Sequence, residues 1–276
     1  VNTPTQDPDL IALVDTLDDV WHSLAGLGAG LTEAQWKQPT ALPGWTVQDN
    51  LSHIIGFERM LQGLPPTEHV AAPRAYIRNP IGESNEHEVD ARRALPGAAV
   101  LAEWTELLAL RLDTLRAGDD AYFSTPSWTP IGEGTIGSFL HLRIMDAWLH
   151  EQDIRVALAS PGNVDGPAAQ HSVDRLLLTI PLVVGKRAGT PEGGAVAIDI
   201  IGPVHRHLIS EVRDGRAKVV AEPTVPPLAH ISLGSDAFVA LAAGRCVPAE
   251  LPTGTVTVTG DQELGARVLA HLNMMI

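Results

Sequence analysis

Apolar residues recur every three or four positions over residues 9–27, where Leu10, Leu13, Val14, Leu17, Val20, Trp21 and Leu24 share one side. That period predicts an amphipathic helix. Thr32-Glu33-Ala34-Gln35 reads as a capping box opening a short helical turn. After the break at Pro43-Gly44, Thr46 reads as a second N-cap with Asp49 at the third helical position. The helix that follows carries Leu51, Ile54, Ile55 and Phe57 and is expected to end near Gly63-Leu64-Pro65-Pro66. Residues 65–96 form a long proline-bearing connection, with helical character around 83–93. A third long helix fits residues 97–116 and a fourth fits 136–159. Four long helices with one long crossover describe a four-helix bundle.

The pattern changes after Ser160-Pro161-Gly162. One helix is expected over residues 167–187, followed by short β-branched or alternating runs at 195–201, 207–212, 217–221, 230–233 and 255–259. Helical patterns at 236–243 and 262–272 interleave with them, and Gly202-Pro203, Asp214-Gly215 and Pro226-Pro227 punctuate the set. The expected architecture is α plus α+β: a helical bundle over residues 1–160 and a smaller α+β domain over 161–276.

Composition narrows the function classes. The 276 residues are 45% hydrophobic, enough for a sizeable core, and carry a formal net charge of −14. Phosphate backbones need clustered Lys and Arg, so nucleic acid is not the expected partner. The single cysteine, Cys246, excludes an internal disulfide or a cysteine metal cluster and fits a reducing cytoplasm. Residues 1–8 lack the basic and apolar regions of a signal peptide, and no stretch has the length and apolarity of a membrane span. A soluble monomer or weak homodimer is expected.

The candidate chemistry sits on the fourth helix. Asp146, His150 and Asp153 stand at i, i+4 and i+7 and share a face with Leu142, Met145, Leu149, Val156 and Ala157. A carboxylate and an imidazole among aliphatic residues are costly unless paired or coordinated. Either a simple Asp–His hydrogen bond or a metal site meets that demand. A metal site needs a third ligand from a facing helix. His53, flanked by Ile54 and Ile55, is a candidate, although an ordinary helix histidine reads the same way. Asp49, one turn earlier, is placed to hold the free ring nitrogen of His53, or else to cap its helix. Asp153 is placed to support the site, or to form a salt bridge with Arg143 or Arg155. Val204-His205-Arg206-His207 offers a weaker pair of ligands, or two solvated histidines flanking a turn. Arg245 either reaches the cleft between the domains or caps the helix before Cys246.

The stretches Leu42-Pro43-Gly44-Trp45-Thr46-Val47-Gln48-Asp49-Asn50-Leu51-Ser52-His53 and Asp146-Ala147-Trp148-Leu149-His150-Glu151-Gln152-Asp153-Ile154-Arg155 resemble the two metal motifs of the DinB-like, mycothiol-dependent maleylpyruvate isomerase family. Ala242-Ala243-Gly244-Arg245 and Val256-Thr257-Val258-Thr259-Gly260-Asp261 resemble that family's sterol-carrier-like C-terminal domain. The resemblance implies a divalent metal, usually zinc, held by His53, Asp146 and His150. Asp146 departs from the family, which carries Glu there, and the change leaves Ni(II) or Fe(II) as alternatives. It also implies mycothiol as the thiol cosubstrate and an arginine, Arg92 or Arg93, for a carboxylate-bearing substrate.

The expected function is therefore a metal- and thiol-dependent isomerase or S-transferase acting on a small electrophile, with no nucleophile from the protein. One rival is a metal-dependent hydrolase using metal-bound water, with Glu151 or Asp153 as base. The other is a non-catalytic protein that binds a metal and a small apolar ligand. Turnover without added thiol separates the first from the hydrolase. A His150→Ala variant with unchanged turnover and a lower melting point marks the binder.

Overall fold

The computed structural model describes residues 8–275, which form two compact units meeting in sequence between Asn163 and Val164. The signal-peptide reading of the N-terminus falls mostly on residues 1–7, outside the described residues. Among the described residues, no helix is long and apolar enough to cross a membrane.

The first unit is helical. Its long helices are α1 (Pro8–Gly28), α3 (Val47–Leu61), α4 (Pro80–Arg93), α5 (Gly97–Ala117) and α7 (Ile136–Ala157), with short helices α2 (Glu33–Trp36) and α6 (Asp120–Phe123). α1 packs against α5 and α7; α3 packs against α4, α5 and α7. The apolar side read from residues 9–27 is the buried one: Leu17, Val20, Trp21 and Leu24 are in the core, where Trp21 meets Trp104 edge-on. Thr46 caps α3 through a complete capping box with Asp49, so the helix begins where the polar spacing requires.

Three local expectations change. The long connection contains a full helix, α4, capped by the Asn79 side chain with Pro80 in its first turn. Residues 126–135, unassigned by periodicity, form a hairpin of β1 (Pro126–Thr129) and β2 (Gly132–Thr135), turning through Gly132 at φ +121°. Val156 does not share a buried face with Asp146; it is 74% exposed. The reason is that α7 has no single apolar side. It is packed against α1 and α3, and buried residues such as Trp148, His150, Asp153 and Ile154 spread over a wide arc of it.

The second unit contains one five-stranded sheet of order β5-β4-β3-β6-β7. Its strands are β3 (Ala195–Ile201), β4 (Arg206–Arg213), β5 (Arg216–Val220), β6 (Ala229–Gly234) and β7 (Val256–Gly260). β3 and β6 pair in parallel and the other neighbours are antiparallel. Helices α8 (Pro167–Leu177), α10 (Ser235–Ala242) and α11 (Gln262–Ala270) complete the unit. The single helix expected over 167–187 is broken: α8 stops at Leu177, a short turn α9 (Ile180–Leu182) follows, and Val183–Arg187 winds as a π-helix. Pro181 lacks the N–H that an uninterrupted helix requires. The molecule is thus helix-rich with one main sheet region.

Candidate metal centre

α3 and α7 carry the site on facing sides. His53, Asp146 and His150 each offer one ligand atom within 4.8 Å of the other two. His53 Nε2 lies 3.4 Å from Asp146 Oδ2, and His150 Nε2 lies 3.7 Å from Asp146 Oδ1. Both imidazoles are buried, while the Asp146 side chain is 30% exposed and forms the open side of the cluster. The shorter carboxylate at position 146 still reaches the two histidines.

The hydrogen-bond pattern fixes which nitrogens are free. Asn50 is fully buried, and its Nδ2 donates to the Thr46 carbonyl at 2.9 Å and to Thr40 Oγ1 at 3.2 Å. Its Oδ1 must therefore accept, and it lies 2.7 Å from His150 Nδ1. Asp153 Oδ2 stands 3.5 Å from that same nitrogen. Two acceptors around Nδ1 put the proton there and leave the Nε2 lone pair facing Asp146. Burial pushes the His53 imidazole below the ordinary histidine range, against the pull of Asp146, which favours the form that can donate a lone pair. Burial also opposes ionisation of Asp146. Arg143 and the two histidines outweigh it and hold the carboxyl well below the ordinary carboxylate range. Two imidazoles and one carboxylate fit a divalent cation.

Aromatic rings enclose the cluster. The Trp45 ring lies 5.2 Å from His53 and 5.9 Å from His150, centroid to centroid, and Phe57 meets His53 edge-on at 5.1 Å. Trp45 is placed by the turn before it. Gly44 sits at φ +76°, and a Cβ there would collide with the Tyr76 ring. The Trp45 Nε1 donates to Glu86 Oε2 at 3.1 Å.

Behind the cluster runs a buried charge network. Arg143 donates from Nη1 to Asp146 Oδ2 at 2.8 Å and from Nε to Glu58 Oε1 at 2.7 Å. Arg111 Nε binds the other oxygen of Glu58 at 3.0 Å. Glu58 was not distinguishable from a surface glutamate in the sequence, and neither Asn50 nor Arg143 was read as part of the site. A buried position between Phe57 and the apolar helix face was the available signal for Glu58.

The remaining sequence candidates are placed differently. Asp49 does not hold the free nitrogen of His53: His53 Nδ1 is buried without a hydrogen-bond partner. Asp49 instead accepts from the Thr46 N–H at 2.8 Å and pairs with Arg93 at 3.2 Å, because its position in the capping box turns it toward the helix start. Arg92 forms a fork with Glu103 at 2.7 and 2.8 Å and also binds Glu88. Arg93 binds Glu86 at 2.5 Å and Asp90 at 2.7 Å. Arg245 lies in the second unit, where its Nη1 donates to the Ala243 carbonyl at 2.7 Å and holds the end of α10. Glu151 accepts from Ser23, Arg155 and Asn163, so it ties α7 to α1. His207 binds Asp199 at 2.5 Å in the second unit, and among the described residues neither His205 nor His207 is in a group of three that could hold a metal ion.

The family model described as the mycothiol maleylpyruvate isomerase N-terminal domain matches residues 17–155. Two uncharacterized proteins of Mycobacterium tuberculosis, MT0041 and Rv0036c, are each 27% identical over 169 residues, covering 59% of this chain and 58% of the relative. The chain thus spans less than two thirds of those relatives' length. The crystal structure of the mycothiol-dependent maleylpyruvate isomerase superposes with a TM-score of 0.53 at 17% identity, covering 91% of this chain and 92% of that one. A mutant of that isomerase gives the same score at 16% identity. At such identity the likeness is one of fold. With more than half of its length inside the family match, the chain belongs to the family of the mycothiol maleylpyruvate isomerase N-terminal domain.

Proposed function

We propose that this protein is a metal-dependent enzyme that uses a low-molecular-weight thiol, mycothiol in the first instance, to isomerise or conjugate a small electrophile. The observation that carries the reading is the convergence of His53, Asp146 and His150, which bring one ligand atom each to within 4.8 Å of the others. These three residues would hold the ion. Zinc suits the donor set best, and Ni(II) or Fe(II) also suit two imidazoles and one carboxylate. When bound there, a divalent ion lowers the pKa of a coordinated thiol, so that the thiolate nucleophile is present near neutral pH.

The chain's own residues do the rest. Asn50 and Asp153 hold His150 in the tautomer that leaves Nε2 free. Arg143 anchors one oxygen of Asp146 and keeps its carboxyl ionised. Trp45 and Phe57 screen the imidazoles from water. The protein supplies no thiolate of its own: burial and Glu250 push the Cys246 thiol up. In this reading the first unit is a DinB-like four-helix bundle and the second a sterol-carrier-like domain, and the enzyme works in a reducing cytoplasm. Glu151 is committed to Ser23, Arg155 and Asn163, which weighs against its service as the base of a hydrolase.

The test is turnover of maleylpyruvate by metal-loaded protein with and without mycothiol, alongside calorimetric titration of mycothiol. Thiol binding with thiol-dependent turnover supports the reading. Full metal content with no thiol binding contradicts it, and turnover without thiol favours the hydrolase.

A further inference from the structure

Trp45 stands against both imidazoles of the cluster. The rings of His53 and His150 lie 4.7 Å apart, centroid to centroid, and the Trp45 ring completes a triangle with them at 5.2 and 5.9 Å. Phe57 stands edge-on to His53 at 74°. Trp45 is inclined by 45° to His53 and by 31° to His150, well short of perpendicular.

The indole is held in place from α4. Its Nε1 donates to Glu86 Oε2 at 3.1 Å. The other oxygen of Glu86 accepts from the Tyr76 hydroxyl at 2.7 Å and from Arg93 Nη1 at 2.5 Å. The Glu86 side chain is 1% exposed, so these bonds are made away from water. Glu86 is 41 positions from Trp45, on a helix that gives no ligand to the cluster.

Coordination draws electron density from an imidazole, so the rings of two ligands take up part of the charge of the ion they hold. An aromatic ring within about 6 Å of a cation attracts it through the negative face of its quadrupole, and indole does so most strongly. A hydrogen bond from the indole N–H to a buried carboxylate adds electron density to the ring, because groups bonded in a low dielectric polarise one another.

We infer that Trp45 is an electrostatic part of the metal centre. Its indole stabilises the charged group formed by the ion and the two imidazoles, and Glu86 is the positioning residue that holds and polarises the indole. The crossover between α3 and α5, which contributes no ligand, thereby sets part of the affinity of the site. The inference rests on the metal reading above and is independent of the thiol and of the reaction.

The experiment measures zinc affinity by competition with a chromophoric chelator, the visible absorption of the cobalt(II) form, and the melting point of the metal-free protein. The proteins are wild type, Trp45→Phe, Trp45→Leu, Glu86→Gln and the double variant Trp45→Phe/Glu86→Gln. Glu86→Gln keeps the shape of the side chain. Arg93 can only donate, so it holds the amide oxygen, and the amide NH2 then faces the indole N–H, donor against donor. Phenylalanine keeps a weaker ring and no N–H; leucine keeps neither. Zinc affinity is expected to fall roughly threefold in Trp45→Phe and in Glu86→Gln, and roughly tenfold or more in Trp45→Leu. In the Trp45→Phe background, Glu86→Gln is expected to change affinity by less than about twofold, since the bond it breaks is already gone. The cobalt bands are expected to stay in place, because the ligands themselves do not move.

Affinity equal to wild type in both Trp45 variants overturns the inference. An equal loss from Glu86→Gln in the two backgrounds also overturns it, since the carboxylate then acts on the ion without the indole. Cobalt bands that shift in step with affinity overturn it too, because the ligands have then been displaced and the role of Trp45 is packing. If Glu86→Gln fails to fold, the two single Trp45 variants and their cobalt bands decide alone. Wild type that retains neither zinc nor cobalt overturns the metal reading itself, an outcome distinct from each of these.

Discussion

Asn50 donates its amide hydrogens to the N-cap residue of its own helix, Thr46, and to Thr40 in the segment before it, and has one acceptor left, which it gives to His150 Nδ1. A leucine at that position would fill the space and remove the acceptor. Groups that orient a histidine ligand typically contribute 10- to 100-fold in metal affinity. Asn50→Leu is expected to weaken metal binding by about that factor, and Asn50→Asp, which keeps an acceptor oxygen, by much less. Competition against a chromophoric chelator measures both. His53 gives a prediction about pH. Its folded pKa lies below the ordinary value of 6.5, so below pH 6.5 the unfolded chain binds more protons than the native one, and stability falls as acid is added. Asp146, held well below 3.8, contributes in the same direction at lower pH, its stabilisation being lost as pH falls through 3.8 and beyond. In the metal-free protein, denaturant midpoints are expected to decline from pH 6.5 downward, and His53→Gln is expected to flatten the decline between 6.5 and 3.8. An unchanged slope in that variant would assign the effect to other groups.

At the scale of elements, the site depends on how α3, α5 and α7 are held together. Glu58 on α3 accepts from Arg111 on α5 and from Arg143 on α7, all three side chains being nearly inaccessible. Removing one partner of a buried ion pair leaves uncompensated charge, at a cost of about 3–5 kcal/mol. Glu58→Ala is expected to lose that much in urea denaturation, while replacing an exposed glutamate such as Glu106 changes little. The turn before α3 is equally specific. Gly44 combines a φ of +76° with contact against the Tyr76 ring, so an added methyl group is strained twice. Gly44→Ala is expected to destabilise by about 1–3 kcal/mol and to displace Trp45 from the histidines, which a shift in tryptophan fluorescence would report. An unchanged spectrum and midpoint would mean that the turn is more compliant than its geometry suggests.

At the scale of the molecule, much of this was readable from the chain. The three-and-four spacing over 9–27 and 97–116, the capping box at Thr46 and the β-branched runs at 195–201 and 230–233 are local signals, and local sterics and capping chemistry decide them. His53, Asp146 and His150 were legible as one cluster because two of them share a helix face and a motif marks the third. What was not legible depends on contacts between distant segments. Asn50 looks like a helix-start polar residue until α7 brings His150 against it, 100 positions away. Arg93 looks like a free cation until the helix start delivers Asp49, and α4 turns out to hold Glu86 two turns back. Glu58 and Arg143 stand at helical spacing from apolar residues, but only the packing of three helices shows that they pair with each other.

The central claim is that this chain binds one divalent ion through His53, Asp146 and His150. The most direct measurement is elemental analysis of purified protein equilibrated with zinc and freed of excess, for wild type and for His150→Ala. The arrangement predicts about one zinc per wild-type chain and a large loss in the variant, since two remaining ligands hold zinc poorly. Wild type with no retained metal, or a variant that retains as much as wild type, would contradict it.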